Sequence, residues 1–172
     1  MAPLLLRGLR TIDAVSEWSG KAFSWLIVPL MGALVFEVIA RYFFHAPTIW
    51  AYDMSYMLYS AIFLLGAAYT LRRGEHVRTD FIYRLLPPRG QGIVDAVLYI
   101  LFLLPILAWL TIVSAERAYH AWLIGARAMA SLWQPPIYPF RALLPLGFAL
   151  LLLQAIAEAA RSLRTAVTGR HP

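Results

Sequence analysis

Apolar residues in this chain gather in long runs, without the apolar–polar alternation of strands. A run from about Ala22 to Phe44 begins FSWLIVPLMGALVF, Ile49 to Leu71 reads IWAYDMSYMLYSAIFLLGAAYTL, Ile93 begins IVDAVLYILFLLPILAWLTIV, and Arg141 begins RALLPLGFALLLLQAIAEAA. Each run approaches or exceeds the roughly 20 residues a helix needs to cross a hydrocarbon core. Lipid offers no partner to free backbone groups, so a spanning segment of this length must be helical. The pattern predicts an all-α integral membrane protein with four transmembrane helices, over about 22–44, 49–71, 93–123 and 140–160. Residues 1–21 and 161–172 are left as tails, and no leftover piece is long enough to fold as a soluble catalytic domain. The first apolar run has no small-residue cleavage site after it and reads as a retained anchor.

Two of the remaining segments have an interfacial pattern. LLLRGLRTIDAVSEWSGK, within 1–21, intersperses leucines and Ile12 with Arg7, Arg10, Asp13 and Glu17, as a helix lying on a membrane surface would. VRTDFIYRLLPPRG, from Val77, mixes apolar residues with arginines and breaks at Pro87–Pro88, so a short amphipathic helix or a plain loop fits there. LWQPPIYPF, from Leu132, carries three prolines with Trp133 and Tyr138 and predicts a stiff turn in an aromatic belt.

Composition changes the picture in one respect, the meaning of the charge. Of the 172 residues 61% are hydrophobic and 14% charged, against roughly 45–50% and about 25% in soluble domains. A net charge of +6 from 15 basic and 9 acidic residues would suit nucleic acid in a soluble chain, but here the bases follow topology. Arg7, Arg10 and Lys21, then Arg72, Arg73, Arg78, Arg84 and Arg89, then Arg161, Arg164 and Arg170 fall on one side of a four-span chain. Arg41, Arg117, Arg127 and Arg141 fall on the other. The positive-inside rule then predicts that both termini are cytoplasmic, with no nucleic-acid partner. The absence of cysteine excludes disulfides, thiolate metal sites and cysteine nucleophiles.

Few residues near the spans carry chemistry. Glu37 and Arg41, spaced i, i+4 near the outer end of the first span, either neutralise one another or offer a polar contact to a partner helix or a proton. Asp53 follows Trp50 in the first turn of the second span, after Thr48, a possible N-cap; its carboxylate complements the helix end or serves a contact. His45 and His120 both lie near outer helix ends, one conceivable haem pair. No metal motif, phosphate loop or nucleophile with its base is present, so an enzyme is not expected and no cofactor is called for.

Residues 41–83, RYFFHAPTIWAYDMSYMLYSAIFLLGAAYTLRRGEHVRTDFIY, carry a more specific signal. Arg41 among aromatics, Pro47, Trp50 followed by an acid, Leu65-Gly66-Ala67-Ala68 and the run from Arg72 to Asp80 resemble the small, Q-type membrane subunit of tripartite ATP-independent periplasmic (TRAP) transporters. One departure is that the family commonly has two adjacent acids after the tryptophan, where this chain has Tyr52 and Asp53. The resemblance implies a non-catalytic, multi-pass subunit of the bacterial inner membrane. Such a subunit packs on a large M-type subunit as part of the static scaffold for sodium-coupled uptake of an organic acid or related solute, delivered by a periplasmic substrate-binding protein. It makes Glu37, Arg41, Trp50 and Asp53 candidate contacts to the other subunit or the binding protein. Arg72, Arg73, His76, Arg78 and Asp80 become candidate cytoplasmic contacts to the partner or to membrane lipids. Two other functions fit four helices: a self-sufficient proton-coupled exporter with Glu37 as the carrier, or a haem- or quinone-binding anchor.

Overall fold

The computed structural model describes residues 3–73, 87–129 and 132–169. His76, Arg78, Asp80 and most of the segment from Val77 to the Pro87–Pro88 break lie outside the described residues. Among the described residues six α-helices follow in order: α1 Pro3–Ser24, α2 Ile27–Tyr42, α3 Ala51–Arg72, α4 Pro88–Leu98, α5 Leu104–Leu123 and α6 Tyr138–Thr168. A π-helical turn, Tyr99–Leu103, joins α4 to α5. The remaining regular pairing among the described residues is an isolated antiparallel bridge between Arg127 and Pro136.

These helices form four stretches long and apolar enough to cross a membrane: Arg7–Tyr42, Ala51–Arg72, Arg89–Leu123 and Tyr138–Thr168. The four-span all-helical architecture expected from the hydropathy pattern is therefore present. The helices themselves run past the apolar windows, because hydropathy marks the part suited to lipid whereas helix continues wherever its carbonyls find donors.

Proline sets the breaks. Pro29 has no N–H to offer the Trp25 carbonyl, which instead takes the Val28 N–H at 3.1 Å, while the Leu26 N–H reaches the Phe23 carbonyl at 3.1 Å. This tighter turn separates α1 from α2. Pro105 likewise leaves the Leu101 carbonyl without its usual donor, and just before it the Leu104 N–H bonds back to the Tyr99 carbonyl across the π turn. Gly169, at φ +68°, ends α6 in the left-handed conformation with its N–H on the Thr165 carbonyl at 2.8 Å.

α6 is the central helix, packed against α5, α3, α4 and α1, and α3 also carries α1 and α2. Leu71, Leu107 and Ala155 are buried together, with Tyr99, Leu103, Phe148 and Leu151 packed around them. Most other buried apolar residues are alanines, among them Ala61, Ala68, Ala121, Ala157 and Ala159. Large side chains such as Phe36, Phe63, Phe102 and Trp109 point outward. Small residues inside and bulky apolar ones outside are what a membrane bundle requires, since lipid accepts leucine as readily as protein does. At Gly92 an added Cβ would lie 2.5 Å from the Ala166 backbone nitrogen, so α4 and α6 touch backbone to backbone there.

Helix lengths define two unlike ends. The stretches hold 36, 22, 35 and 31 residues, which at a 1.5 Å rise gives about 33 Å for α3 and about 46–54 Å for the others. A core of about 30 Å lengthens to only about 39 Å along a helix tilted by 40°. The excess lies at one end, where α1, α4 and the last turns of α6 meet the end of α3. Contacts of Gly92 with α6, Gly169 with Arg89, and Asp13 with both Arg72 and Arg161 hold that end together. At the other end the spans finish nearly level, with Tyr56 against Phe140 at 5.8 Å and Trp122 against Tyr138 at 5.2 Å.

Candidate functional site

The level end contains the four residues the sequence singles out there. Glu37, whose side chain is 15% exposed against 57% for Arg41, accepts from Arg41 Nε at 3.0 Å on Oε1 and also from its Nη2. Its other oxygen accepts the Thr48 backbone N–H at 3.0 Å and the Thr48 hydroxyl. One carboxylate thus closes the α2–α3 loop across eleven residues. Thr48 is not an N-cap: Trp50 occupies that position with no side-chain cap bond, because the Thr48 hydroxyl is spent on Glu37. Trp50 stacks on Phe36 at 5.7 Å and 29°, so Glu37, Arg41 and Trp50 form one corner.

Asp53, half-buried in the first turn of α3, belongs to a neighbouring feature. It lines an open cleft of about 840 Å³ with Tyr52, Tyr56, Arg127, Phe140 and Arg141, between α3 and the α5–α6 turn. Backbone hydrogen bonds tie the two arms of that turn together. The Ala128 N–H bonds the Pro135 carbonyl at 3.0 Å and the Ile137 N–H bonds the Ala126 carbonyl at 2.9 Å. His45 sits in the α2–α3 loop at φ +51° and His120 in the last turn of α5. Among the described residues no group of three or more His, Cys, Asp or Glu is placed to hold a metal ion.

The overhanging end holds a polar layer that inspection of the sequence does not single out. On α1, Asp13, Ser16, Glu17 and Gly20 follow i, i+3, i+4, i+7 spacing and share a face. On α6, Gln154, Glu158 and Arg161 share one in the same way. Gln154, fully buried at 0% exposure, accepts the Ser16 hydroxyl at 2.8 Å and donates to Glu158 at 3.1 Å and Asp13 at 3.3 Å. Arg161 bridges Asp13 and Glu158. Arg72, at the end of α3, pairs with Glu17 and lies 3.8 Å from Asp13. Lys21 closes the chain on Glu17 at 2.7 Å. Below this layer an added Cβ at Gly20 would come within 2.5 Å of Tyr69 Cβ, so only glycine lets α1 approach α3 so closely.

Arg72, named from the sequence as a contact to lipid or partner, is therefore engaged inside the chain. Arg73 is exposed, its guanidinium 5.0 Å above the Tyr69 ring. The signal that points to the missed residues is a polar stripe at helical spacing on otherwise apolar helices, since such a stripe must face protein or water rather than lipid. The N-terminal helix lies with that stripe inward, docked on α3 and α6, while Trp18 and Trp25 are 72% and 75% exposed.

Four membrane-crossing helices, with their charged groups gathered at the two ends, define the class: a multi-pass membrane protein built by helix packing. The chain belongs to the tripartite ATP-independent periplasmic transporters, DctQ component, whose family profile matches residues 30–165. It is thus a component of a TRAP transport system. One similar protein is the sialic acid TRAP transporter permease protein SiaT of Haemophilus influenzae (strain 86-028NP), 30% identical over 81 residues. That match takes in 47% of this chain and 13% of the relative, so the chain corresponds to a small part of that protein's length. No solved structure matches the chain.

Proposed function

We propose that this chain is the small, non-catalytic permease subunit of a TRAP-type secondary transporter of the bacterial inner membrane. In this reading it packs on a large M-type subunit and enlarges the static scaffold, while a periplasmic binding protein delivers an organic acid or related solute taken up with sodium. The family match over residues 30–165 carries the reading. The geometry agrees with it: Glu37 is held by Arg41 and Thr48 as a loop closure, a structural post rather than a mobile proton carrier. Both ends of the described chain lie at the overhanging end of the bundle, which the arginine distribution assigns to the cytoplasm. Glu37, Arg41, Trp50 and Asp53 then face the periplasm as candidate contacts to the large subunit or the binding protein.

Co-expression tests this directly. The chain is expected to co-purify with a larger membrane protein of the same system. Liposomes holding both should accumulate solute when the binding protein and a sodium gradient are supplied, whereas liposomes holding either one alone should not. Uptake by this chain alone would overturn the proposal, as would cation-driven proton release abolished by Glu37→Gln.

A further inference from the structure

A groove of about 390 Å³ runs along the outside of the bundle where the end of α1 meets α3. Phe23 and Ser24 wall it on one side, and Ile62, Phe63, Gly66 and Ala67 on the other. The two aliphatic hydroxyls in its wall are already engaged: Ser24 donates to the Lys21 carbonyl at 2.7 Å, and Thr70 to the Gly66 carbonyl at 3.1 Å. What remains for an occupant is mainly apolar, with Tyr69 at one end. The groove is open at its floor, since a Cβ added at Gly66 would meet nothing within 4 Å.

A cation stands next to the lining residue at the end of the groove nearest the polar layer. Tyr69 closes it against Gly20, and the Arg73 guanidinium lies 5.0 Å above the Tyr69 ring. In the adjoining layer three acids, Asp13, Glu17 and Glu158, are met by three bases, Lys21, Arg72 and Arg161. Arg73 is surplus to that balance and, among the described residues, pairs with no carboxylate. From Arg73 to Ile62 the rise along the helix is about 16 Å, close to the roughly 15 Å hydrocarbon depth of one leaflet.

We propose that this groove binds one anionic glycerophospholipid, with an acyl chain along Phe63, Gly66 and Phe23 and its phosphodiester at Arg73. A guanidinium matches phosphate oxygens in a forked geometry, and a cation that pairs with no carboxylate among the described residues complements one net negative charge. A zwitterionic lipid brings an ammonium with its phosphate and loses that complementarity. The inference rests on the helices crossing a membrane and not on the subunit assignment, so the experiment uses the chain by itself.

Native mass spectrometry of the full chain in mild detergent, offered equimolar dioleoyl phosphatidylglycerol and dioleoyl phosphatidylcholine, is the test. One phosphatidylglycerol should be retained per chain, preferred about fivefold, the ratio expected of one basic side chain near a lipid phosphate. Arg73→Gln, at an exposed position, should erase the preference, whereas Arg127→Gln at the opposite end should leave it intact. Gly66→Leu, which fills the open floor, should lower retention of both lipids while helicity and monodispersity are unchanged. Equal retention of the two lipids by the unaltered chain, or an undiminished preference in Arg73→Gln, would overturn the proposal. Loss of the bound lipid when a larger membrane partner assembles would assign the groove to a partner helix and overturn it equally.

Discussion

Gln154 makes three hydrogen bonds where neither water nor lipid reaches it, joining Ser16 and Asp13 on α1 to Glu158 on its own helix. Gln154→Leu keeps the volume and removes all three. The Ser16 hydroxyl would be left without its acceptor and each carboxylate would lose one donor while keeping Arg161, at an expected cost of about 1–3 kcal/mol. Lys21→Ala, which breaks an exposed pair with Glu17, should cost about 0–1 kcal/mol. Reversible unfolding in mixed micelles would show the contrast, and equal losses would remove Gln154 from the centre of the layer. At this scale the sequence is only partly legible. Glu37 and Arg41 can be paired by spacing alone, because i, i+4 neighbours must meet on a helix. The same carboxylate's hold on Thr48 depends on how the loop folds back, which spacing within a helix does not encode. Gln154 lies 138 residues from Ser16, and nothing local in either segment names the other.

At the scale of elements, the kink before Pro29 directs α1. Pro29→Ala would return an N–H to the Trp25 carbonyl and favour one continuous helix through Trp25 and Leu26. A straightened α1 could not keep both the Gly20–Tyr69 contact and the Asp13–Arg161 pair. The chain has no native cysteine, so spin labels on Arg10→Cys and Arg164→Cys report the change without background. The distance between them should lengthen and broaden in Pro29→Ala; an unchanged distribution would show that α1 is steered by its contacts alone. The spans themselves are legible because hydropathy is summed over some twenty residues and survives local irregularity. The placing of α1 is not, for a physical reason. A helix with one polar and one apolar face can lie on a membrane surface with its polar face to water, or stand against a bundle with that face to protein. The moment of the pattern is the same in both.

Across the whole molecule, charge and length together make a testable expectation of the orientation. Three of four helical stretches exceed what a tilted crossing absorbs, and all overhang at the end where α1 begins and α6 finishes. If that end is cytoplasmic, single cysteines at two exposed positions should label oppositely. Met129→Cys in the α5–α6 turn should react with a membrane-impermeant maleimide in intact spheroplasts, and Val167→Cys near the end of α6 only after lysis. The reverse pattern would invert the molecule and with it the assignment of the periplasmic contacts.

The polar layer also imposes an order of events on synthesis. Glu17 meets Arg72 after 55 further residues have been made, but Asp13 waits 148 residues for Arg161. At roughly 5–20 residues per second that second interval lasts about 7–30 s. Once Arg72 has been made, α1 has the end of α3 as a partner, with Ser16 and Asp13 still lacking the α6 groups they will meet. The last helix made is therefore the one that locks the first. A chain cut short before α6 would carry an N-terminal helix with Gln154 and Arg161 missing from its set of partners.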